Sequence, residues 1–202
     1  MQIFYSPASP YVRKCMVVAL ELGLADQIEK LSSAANPVTR DANIVAKNPL
    51  GKVPTLITDD GLVLYDSRVI CAYLNVLGKG GLLPSAGKPH WEVLTQEALG
   101  DGMLDAALLA RYEAAMRPEP LRWAQWSAGQ MEKVHSGLAT IEANTASWGQ
   151  SFDLGKIALA CALGYLDFRF ADMAWRAMYP ATAKWFAQIS ERPSMMATVP
   201  KA

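Results

Sequence analysis

The run Ser9-Pro10-Tyr11 places a hydroxyl directly before a proline, close to the start of the chain. A short strand pattern, Gln2 to Tyr5, precedes this run, and an amphipathic helix pattern, Val12 to Leu24, follows it. Ser9 therefore lies where a strand passes into a helix, and a hydroxyl before proline is typical of a helix start. Its oxygen can cap the helix, or its proton can be donated to a reacting group. Ser9 alone does not decide between cap and catalyst, and Ser6 offers a second hydroxyl in the same loop.

A second set of polar residues surrounds a predicted β-hairpin. The β-forming runs Pro54–Thr58 and Leu62–Tyr65 are joined by Asp59-Asp60-Gly61, where glycine accommodates the positive φ of a turn. A proline at the start of an internal strand is unusual because it cannot donate a hydrogen bond to the sheet. After the hairpin, Asp66-Ser67 precedes an apolar pattern of period 3.6 and marks the start of a helix. The free N–H groups and positive dipole end of such a helix suit a carboxylate.

These residues belong to the first of two predicted domains. Residues 1–77 show the order βαβ, α, ββα, which predicts a small mixed sheet flanked by helices. Residues 78–89 are rich in glycine and proline without periodicity and indicate a linker, and residues 90–202 are predicted to be all-helical. The helix patterns of this second domain run from Glu92 to Met116, Trp126 to Asn144, Leu154 to Phe170 and Pro180 to Ser190.

Composition excludes several classes of function. Nineteen basic and nineteen acidic residues among 202 give no net charge, so nucleic acid and anionic membranes are not expected partners. No secretory leader is evident, and the longest apolar run, Ile157 to Leu166, is too short to span a bilayer, which favours a cytoplasmic protein. Three cysteines in predicted helices and two isolated histidines favour packed thiols and no metal site.

Several motifs taken together resemble the soluble glutathione transferases, and their order and spacing cover nearly the whole chain. The motifs are SPASPYVRK at the start, NPLGKVPTL at Asn48 to Leu56, the Asp66-Ser67 pair, LACALGYLDFR up to Arg169, and WFAQISERPSM at Trp185 to Met195. The resemblance implies a thioredoxin-like N-terminal domain followed by an all-α domain. It also implies a homodimer and a role in detoxification.

The resemblance assigns the hairpin region to glutathione, which would be a co-substrate and not a cofactor. It implies a cis bond between Val53 and Pro54, which would leave the Val53 backbone exposed to pair with the cysteinyl residue of glutathione. Ser67 at the helix start would bind the γ-glutamyl carboxylate, Asp66 the ammonium group beside it, and Lys52 the glycyl carboxylate. Asp66 is a departure, because relatives more often carry glutamate there, and a weaker contact is expected.

With glutathione so placed, its sulfur is expected near Ser9. A free thiol titrates at roughly 8.5, so a hydroxyl donor and a helix N-terminus would favour the thiolate. The family divides into tyrosine, serine and cysteine types, and the motif assigns Ser9 to the serine type found in bacteria. The second substrate, a small apolar electrophile, is predicted to lie near Tyr11 and the first long helix of the second domain, at Leu104, Leu108 and Tyr112.

Two other functions remain open from the sequence. Bound glutathione can serve as a reductant of disulfides or peroxides, or the fold can act as a non-catalytic protein-interaction module. A further departure concerns stability. Asp153 is expected to cap the central helix, while Lys156 places a cation near the positive end of that helix, which predicts a small stability cost unless a carboxylate compensates.

Overall fold

The computed structural model describes residues 1–149 and 151–201, which form two units. The first unit comprises Met1–His90 together with the residues from Pro193 onward, and the second comprises Trp91–Arg192. In chain order the helices are α1 Pro10–Glu21, α2 Ala42–Val45, α3 Ser67–Leu77, α4 Gly87–Ala115, α5 Ala124–Asn144, α6 Leu154–Arg169, α7 Trp175–Met178, α8 Pro180–Ser190 and α9 Pro193–Met196.

The first unit contains a four-stranded mixed sheet. Its strands are β1 Gln2–Tyr5, β2 Glu29–Ser32, β3 Thr55–Ile57 and β4 Val63–Leu64, in the spatial order β2-β1-β3-β4. β1 and β2 are parallel, and the other two pairs are antiparallel. Gly61, with φ of 86°, forms the predicted turn between β3 and β4. This is the mixed sheet with flanking helices that the sequence predicts.

Helices α1 and α3 pack against each other in the first unit and bury its core. The predicted helix Val12 to Leu24 begins two residues earlier, at Pro10, because Ser9 caps it directly. It ends at Glu21, and Gly23 takes the left-handed φ of 68° that turns the chain away. Cys15 of α1 and Cys71 of α3 are buried with their sulfurs 3.9 Å apart, and they pack as thiols.

The second unit is helical, with α6 at its centre. Every residue of α6 from Leu154 to Leu166 is buried. Two glycines allow α4 and α6 to approach closely, since a Cβ on Gly100 would lie 2.7 Å from the Ala158 carbonyl carbon. A Cβ on Gly155 would lie 2.8 Å from the Val93 carbonyl oxygen. No side chain larger than hydrogen fits at either crossing without movement of backbone.

The unit boundaries differ from the predicted domains at two places. The predicted linker, residues 78–89, belongs to the first unit, where the Leu82 N–H donates to Asn75 Oδ1 at 3.0 Å, and α4 already begins at Gly87. The residues from Pro193 onward, assigned by sequence to the helical domain, also belong to the first unit. No sequence pattern after Ser190 indicates which core these residues join, whereas hydrogen bonds to α1 hold them in the first unit.

Arg13 on α1 holds this returning segment. Its guanidinium is buried and donates to the Met195 carbonyl at 3.2 Å and to Thr198 Oγ1 at 3.4 Å. Ser194 donates to Glu21 near the end of α1, and the Lys201 N–H donates to the Pro7 carbonyl at 3.3 Å. The segment is therefore attached along the length of α1.

The cation near the start of α6 is compensated. Asp153 caps the helix through the Lys156 N–H at 3.0 Å, and its other carboxylate oxygen lies 2.9 Å from Lys156 Nζ. Ser151 Oγ also accepts from Lys156 Nζ, at 2.6 Å. The sequence predicted a stability cost only if no carboxylate compensated Lys156, and Asp153 is such a carboxylate. In the described part of the chain, no helix is both long enough and apolar enough to cross a membrane.

Candidate functional site

Ser9 caps α1 and keeps its hydroxyl proton available. Its Oγ accepts a hydrogen bond from the Val12 N–H at 3.3 Å, while its backbone N–H donates to the Ser6 carbonyl at 3.1 Å. Accepting this bond uses a lone pair of the oxygen and leaves the O–H free to donate. The two interpretations of Ser9 are therefore compatible, since one hydroxyl can cap the helix and stabilise an anion at its N-terminus.

The segment before β3 presents an open backbone position at Val53. The Val53–Pro54 bond is cis, as the resemblance implies. Within residues 1–149 and 151–201, neither the Val53 N–H nor its carbonyl has a hydrogen-bond partner. Val53 thus presents a donor and an acceptor that an extended peptide can satisfy in the manner of an added strand.

Asn48 fixes the conformation of this segment, although its only sequence-based assignment was membership of the NPLGKVPTL motif. It is buried, and its Nδ2 donates to Thr55 Oγ1 at 2.9 Å and to the Lys52 carbonyl at 3.3 Å. Thr55 Oγ1 also donates to the Lys52 carbonyl, at 2.8 Å. Gly51 takes φ of 63°, and a Cβ there would lie 3.1 Å from Val45. The sequence carries no local signal for this role of Asn48, because its burial and its partners depend on how the loop folds back.

The start of α3 offers unoccupied hydrogen-bond donors. Asp66 is the capping residue, and its Oδ1 accepts from the Arg68 N–H at 3.0 Å, while the other oxygen is left for a ligand. Ser67 is 2% exposed, and neither its N–H nor its hydroxyl has a partner in the described part of the chain. The combination of free N–H, hydroxyl and helix dipole suits a carboxylate.

The topology brings these elements to one end of the sheet. In the β1–β3 pairing Phe4 lies opposite Thr55, so the antiparallel chains carry Val53 alongside the residues that lead to Ser9. Cys15 Sγ lies 3.9 Å from the Ser67 carbonyl, which places the start of α3 beside α1. Lys52 is exposed and forms no ion pair among the described residues. The first unit therefore gathers the hydroxyl, the open backbone, the helix start and a cation.

A cleft of 190 Å³ opens beside Ser9 within the first unit. Tyr5, Ser6, Arg13 and Thr198 are among its lining residues, whereas Lys52, Val53 and Ser67 do not line it. This cleft therefore adjoins Ser9 without including the residues assigned to glutathione. Arg13 and Thr198 were not predicted here, because the return of the chain after Arg192 had no signal in the sequence.

The predicted second-substrate residues differ in accessibility. Leu104 is 1% exposed and packs inside the helical unit. Leu108, Tyr112 and Tyr11 are each partly exposed, so their side chains can reach a ligand. Among residues 1–149 and 151–201, no group of three histidine, cysteine or carboxylate side chains is placed to hold a metal ion.

Comparison with known proteins gives family matches in both halves of the chain. The N-terminal domain model of glutathione S-transferases matches residues 8–77, and the C-terminal domain model matches residues 124–188. The uncharacterized GST-like protein YibF of Escherichia coli K12 is 33% identical over 205 residues, covering 99% of this chain and 98% of that protein.

Two solved structures are similar over the whole chain. A glutathione transferase family member from Pseudomonas fluorescens Pf-5 with bound glutathione is 47% identical, with a TM-score of 0.97, covering 100% of this chain and 99% of that one. A second structure of a family member from the same organism, with bound S-(propanoic acid)-glutathione, is 46% identical with a TM-score of 0.92 and covers 99% of each chain. The small mixed sheet, the helical second unit and these matches agree, and the chain belongs to the glutathione S-transferase family.

Proposed function

We propose that this protein is a glutathione transferase of the serine type, in which Ser9 activates the thiol of bound glutathione for attack on a small apolar electrophile. The observation that carries the proposal is the open Val53 backbone beside the start of α3. A peptide ligand with a carboxylate on one side fits this combination of a strand-like edge and a helix N-terminus.

Glutathione would be held at three places. Val53, which precedes the cis bond to Pro54, would pair with the cysteinyl residue. Ser67 would donate to the γ-glutamyl carboxylate, and the Asp66 oxygen not used in capping would accept from the ammonium group. Lys52 would bind the glycyl carboxylate. The similar structures from P. fluorescens, which hold glutathione and a glutathione conjugate, support this proposal.

Ser9 would act on the sulfur as a hydrogen-bond donor. The thiol proton leaves to solvent, and the remaining thiolate accepts from the Ser9 hydroxyl at the positive end of the α1 dipole. Each unit by which the thiol pKa falls corresponds to about 1.4 kcal/mol. The thiolate then forms a bond to the electrophile, either by addition or by displacement of a leaving group.

The second substrate is proposed to contact Leu108 and Tyr112, which are partly exposed on α4. Contacts with Tyr11 and Leu104 remain predictions from the resemblance. Detoxification, a cytoplasmic location and a homodimer remain predictions from the resemblance.

Calorimetric titration with glutathione tests the binding proposal. The Lys52→Met variant is expected to bind glutathione about tenfold more weakly, because it loses one charge-assisted hydrogen bond. Lys47→Met is the matched control, since Lys47 is an exposed lysine in the same segment, and its affinity should stay within about twofold of wild type. Equal losses in both variants would contradict the role of Lys52.

Conjugation of 1-chloro-2,4-dinitrobenzene tests the reaction. We expect turnover that depends on glutathione. Binding without conjugation, but with glutathione-dependent reduction of a disulfide or a peroxide, would favour a reductase instead. A protein that neither binds glutathione nor conjugates the probe would favour an interaction module.

A further inference from the structure

Four side chains at the C-terminal ends of α4 and α6 form a cluster with excess positive charge. Its members, here called the arginine–tyrosine cluster, are Arg111 and Tyr112 of α4 and Tyr165 and Arg169 of α6. The cluster lies within the second unit and contains none of the residues assigned to glutathione. It shares Tyr112 with the proposed second-substrate pocket, so the inference concerns that pocket and rests on the proposed function.

Helix geometry places the two arginines opposite each other. Gly155 meets Val93 and Gln96, and further along Gly100 meets Ala158, so α4 and α6 run in the same direction. Arg111 lies eleven residues after Gly100, and Arg169 lies eleven residues after Ala158. Eleven residues make about three turns, so both arginines return to the contacting faces about 16 Å beyond the glycine crossing. The two guanidinium groups therefore face a common space.

The pKa of Arg169 agrees with this placement. Burial lowers the pKa of Arg169 below its ordinary value, the neighbouring Arg111 lowers it further, and Tyr165 opposes the change. Like charges held this close are unfavourable unless an anion lies between them.

No carboxylate among residues 1–149 and 151–201 serves as that anion. In the described residues, neither Arg111 nor Arg169 forms a salt bridge or donates a side-chain hydrogen bond. The nearest carboxylates in sequence, Glu113 and Asp167, lie two positions away on opposite helix faces. Glu113 accepts from Arg117 and from the Trp123 N–H, and Asp167 accepts from Arg176 and Trp175. Both are already engaged.

The guanidinium of Arg169 packs against a neighbouring ring, but its buried Nε–H lacks a hydrogen-bond acceptor in the described part of the chain. Its Cζ lies 3.8 Å from the centre of the Phe168 ring, which supports one face of the group. Its Nε is buried and has no hydrogen-bond partner. A buried donor of this kind requires an acceptor from a ligand or from water.

Tyr165 adds a neutral donor to the cluster. It is 2% exposed, and burial raises its pKa to about 12, with Arg111 acting in the opposite direction. Its hydroxyl is therefore protonated at neutral pH. No residue in the described part of the chain accepts a hydrogen bond from this hydroxyl, and its ring packs edge-on against Phe170 at 6.4 Å between centroids.

We propose that the arginine–tyrosine cluster binds a small molecule that carries an oxyanion head, a carboxylate or a phosphate, on an apolar body. Each guanidinium presents a planar fork that matches two oxygens of such a head. The Tyr165 hydroxyl contributes a third donor. Leu108, one turn before Arg111 and partly exposed, and the Phe168 ring provide apolar surface for the body.

Calorimetric titrations with benzoate, phenyl phosphate and the uncharged benzamide test this site. They are done at constant ionic strength and without glutathione, so that failure of this site and failure of glutathione binding are separate results. At least one anion is expected to bind about tenfold or more tightly than benzamide, and the tighter anion identifies the head group.

Arg111→Met is expected to weaken binding of that anion by about tenfold or more, and Tyr165→Phe by a smaller factor. Lys184→Met is the matched control, because it removes one exposed cation from α8 of the same unit, and it should change the affinity less than about twofold. Circular dichroism verifies that each variant is folded. Binding of benzamide as tight as that of both anions, or equal effects of Arg111→Met and Lys184→Met, would overturn the proposal.

Discussion

Ser9 shows how one side chain can satisfy a structural and a chemical requirement together. The Ser9 Oγ accepts a hydrogen bond from the Val12 N–H, and the Ser9 hydroxyl proton remains available to donate to a ligand. The two properties can be separated by experiment, because loss of the cap lowers stability whereas loss of the donor changes the acidity of bound glutathione.

Ser9→Ala is expected to raise the pKa of the bound glutathione thiol by about one unit or more, since the thiolate loses a hydrogen bond. The free energy of unfolding should also fall by about 1 kcal/mol through loss of the cap. The ultraviolet absorbance of the thiolate, followed against pH, measures the first effect, and chemical denaturation measures the second.

Ser6→Ala is the control for this experiment. Ser6 lines the same cleft but caps no helix, so both quantities should remain close to those of wild type. A raised thiol pKa in Ser6→Ala together with an unchanged value in Ser9→Ala would assign the contact to Ser6 instead.

The polar residues of the site were predictable to different degrees. Ser9, Asp66 and Ser67 follow from start signals that any helix needs, so their positions could be read locally. Asn48 could not be assigned in this way, because its partners, Thr55 and the Lys52 carbonyl, depend on how the loop folds back. The arginine–tyrosine cluster was missed apart from Tyr112, since it requires the register of two helices far apart in sequence.

The close crossing of α4 and α6 requires glycine at Gly100 and Gly155, although alanine has the higher intrinsic helix propensity. Alanine stabilises an exposed helix interior by about 0.5–1 kcal/mol relative to glycine. At Gly100 the new methyl group would meet backbone of α6 at 2.7 Å and 2.9 Å, which cannot move without the whole helix.

Gly100→Ala is therefore expected to lower the free energy of unfolding by about 1–3 kcal/mol, because overpacking outweighs propensity. Gly102→Ala is the matched control in the same helix, since no atom of the described residues lies within 4 Å of a Cβ there, and it should be stabilising. Thermal or urea denaturation of both variants measures the difference. A stabilised Gly100→Ala protein would show that the two helices can separate at little cost.

Glu142 caps a helix other than its own. From α5 its carboxylate accepts from the Ala181 N–H at 2.9 Å, and from the Thr182 N–H and hydroxyl at 2.7 Å each, at the start of α8. Desolvation would raise the pKa of Glu142, but these hydrogen bonds outweigh it and hold the pKa below the ordinary 4.5. The stabilisation is therefore present above about pH 4.5 and is lost as the pH falls through the lowered value.

Glu142→Gln is expected to lower the free energy of unfolding at pH 7 by about 1 kcal/mol, the usual effect of a lost cap. The difference from wild type should shrink as the pH falls below 4.5, where the unfolded carboxylate gains its proton first. Glu132→Gln, at an exposed position of the same helix, serves as control and should show no such pH dependence. Urea denaturation from pH 7 to pH 3 measures both variants.

The central helix α6 illustrates what a local pattern can and cannot establish. Its all-round apolar sequence with small residues correctly predicted a buried helix, from Leu154 onward. The neighbours of that helix were not predictable, because several apolar faces in the second unit have similar periodicity. Lys156 is a local case by contrast, since the carboxylate that compensates it is Asp153, the capping residue three positions earlier.

For the molecule as a whole, the order of the elements followed from the sequence, whereas two boundaries did not. Alternation of strand and helix and the apolar helices that follow define two architectures without any knowledge of packing. The place where one unit ends depends on long-range hydrogen bonds, such as those of Arg13, and these have no local pattern.

The return of the chain to the first unit has a consequence for its synthesis. Arg13 and Met195 are 182 residues apart, so a ribosome makes the whole second unit before the partner of this buried guanidinium exists. Although nascent domains usually fold in the order of their translation, the first-made core here stays unfinished until the segment after Arg192 has emerged. Premature termination anywhere in the helical unit would therefore leave defects in both halves of the product.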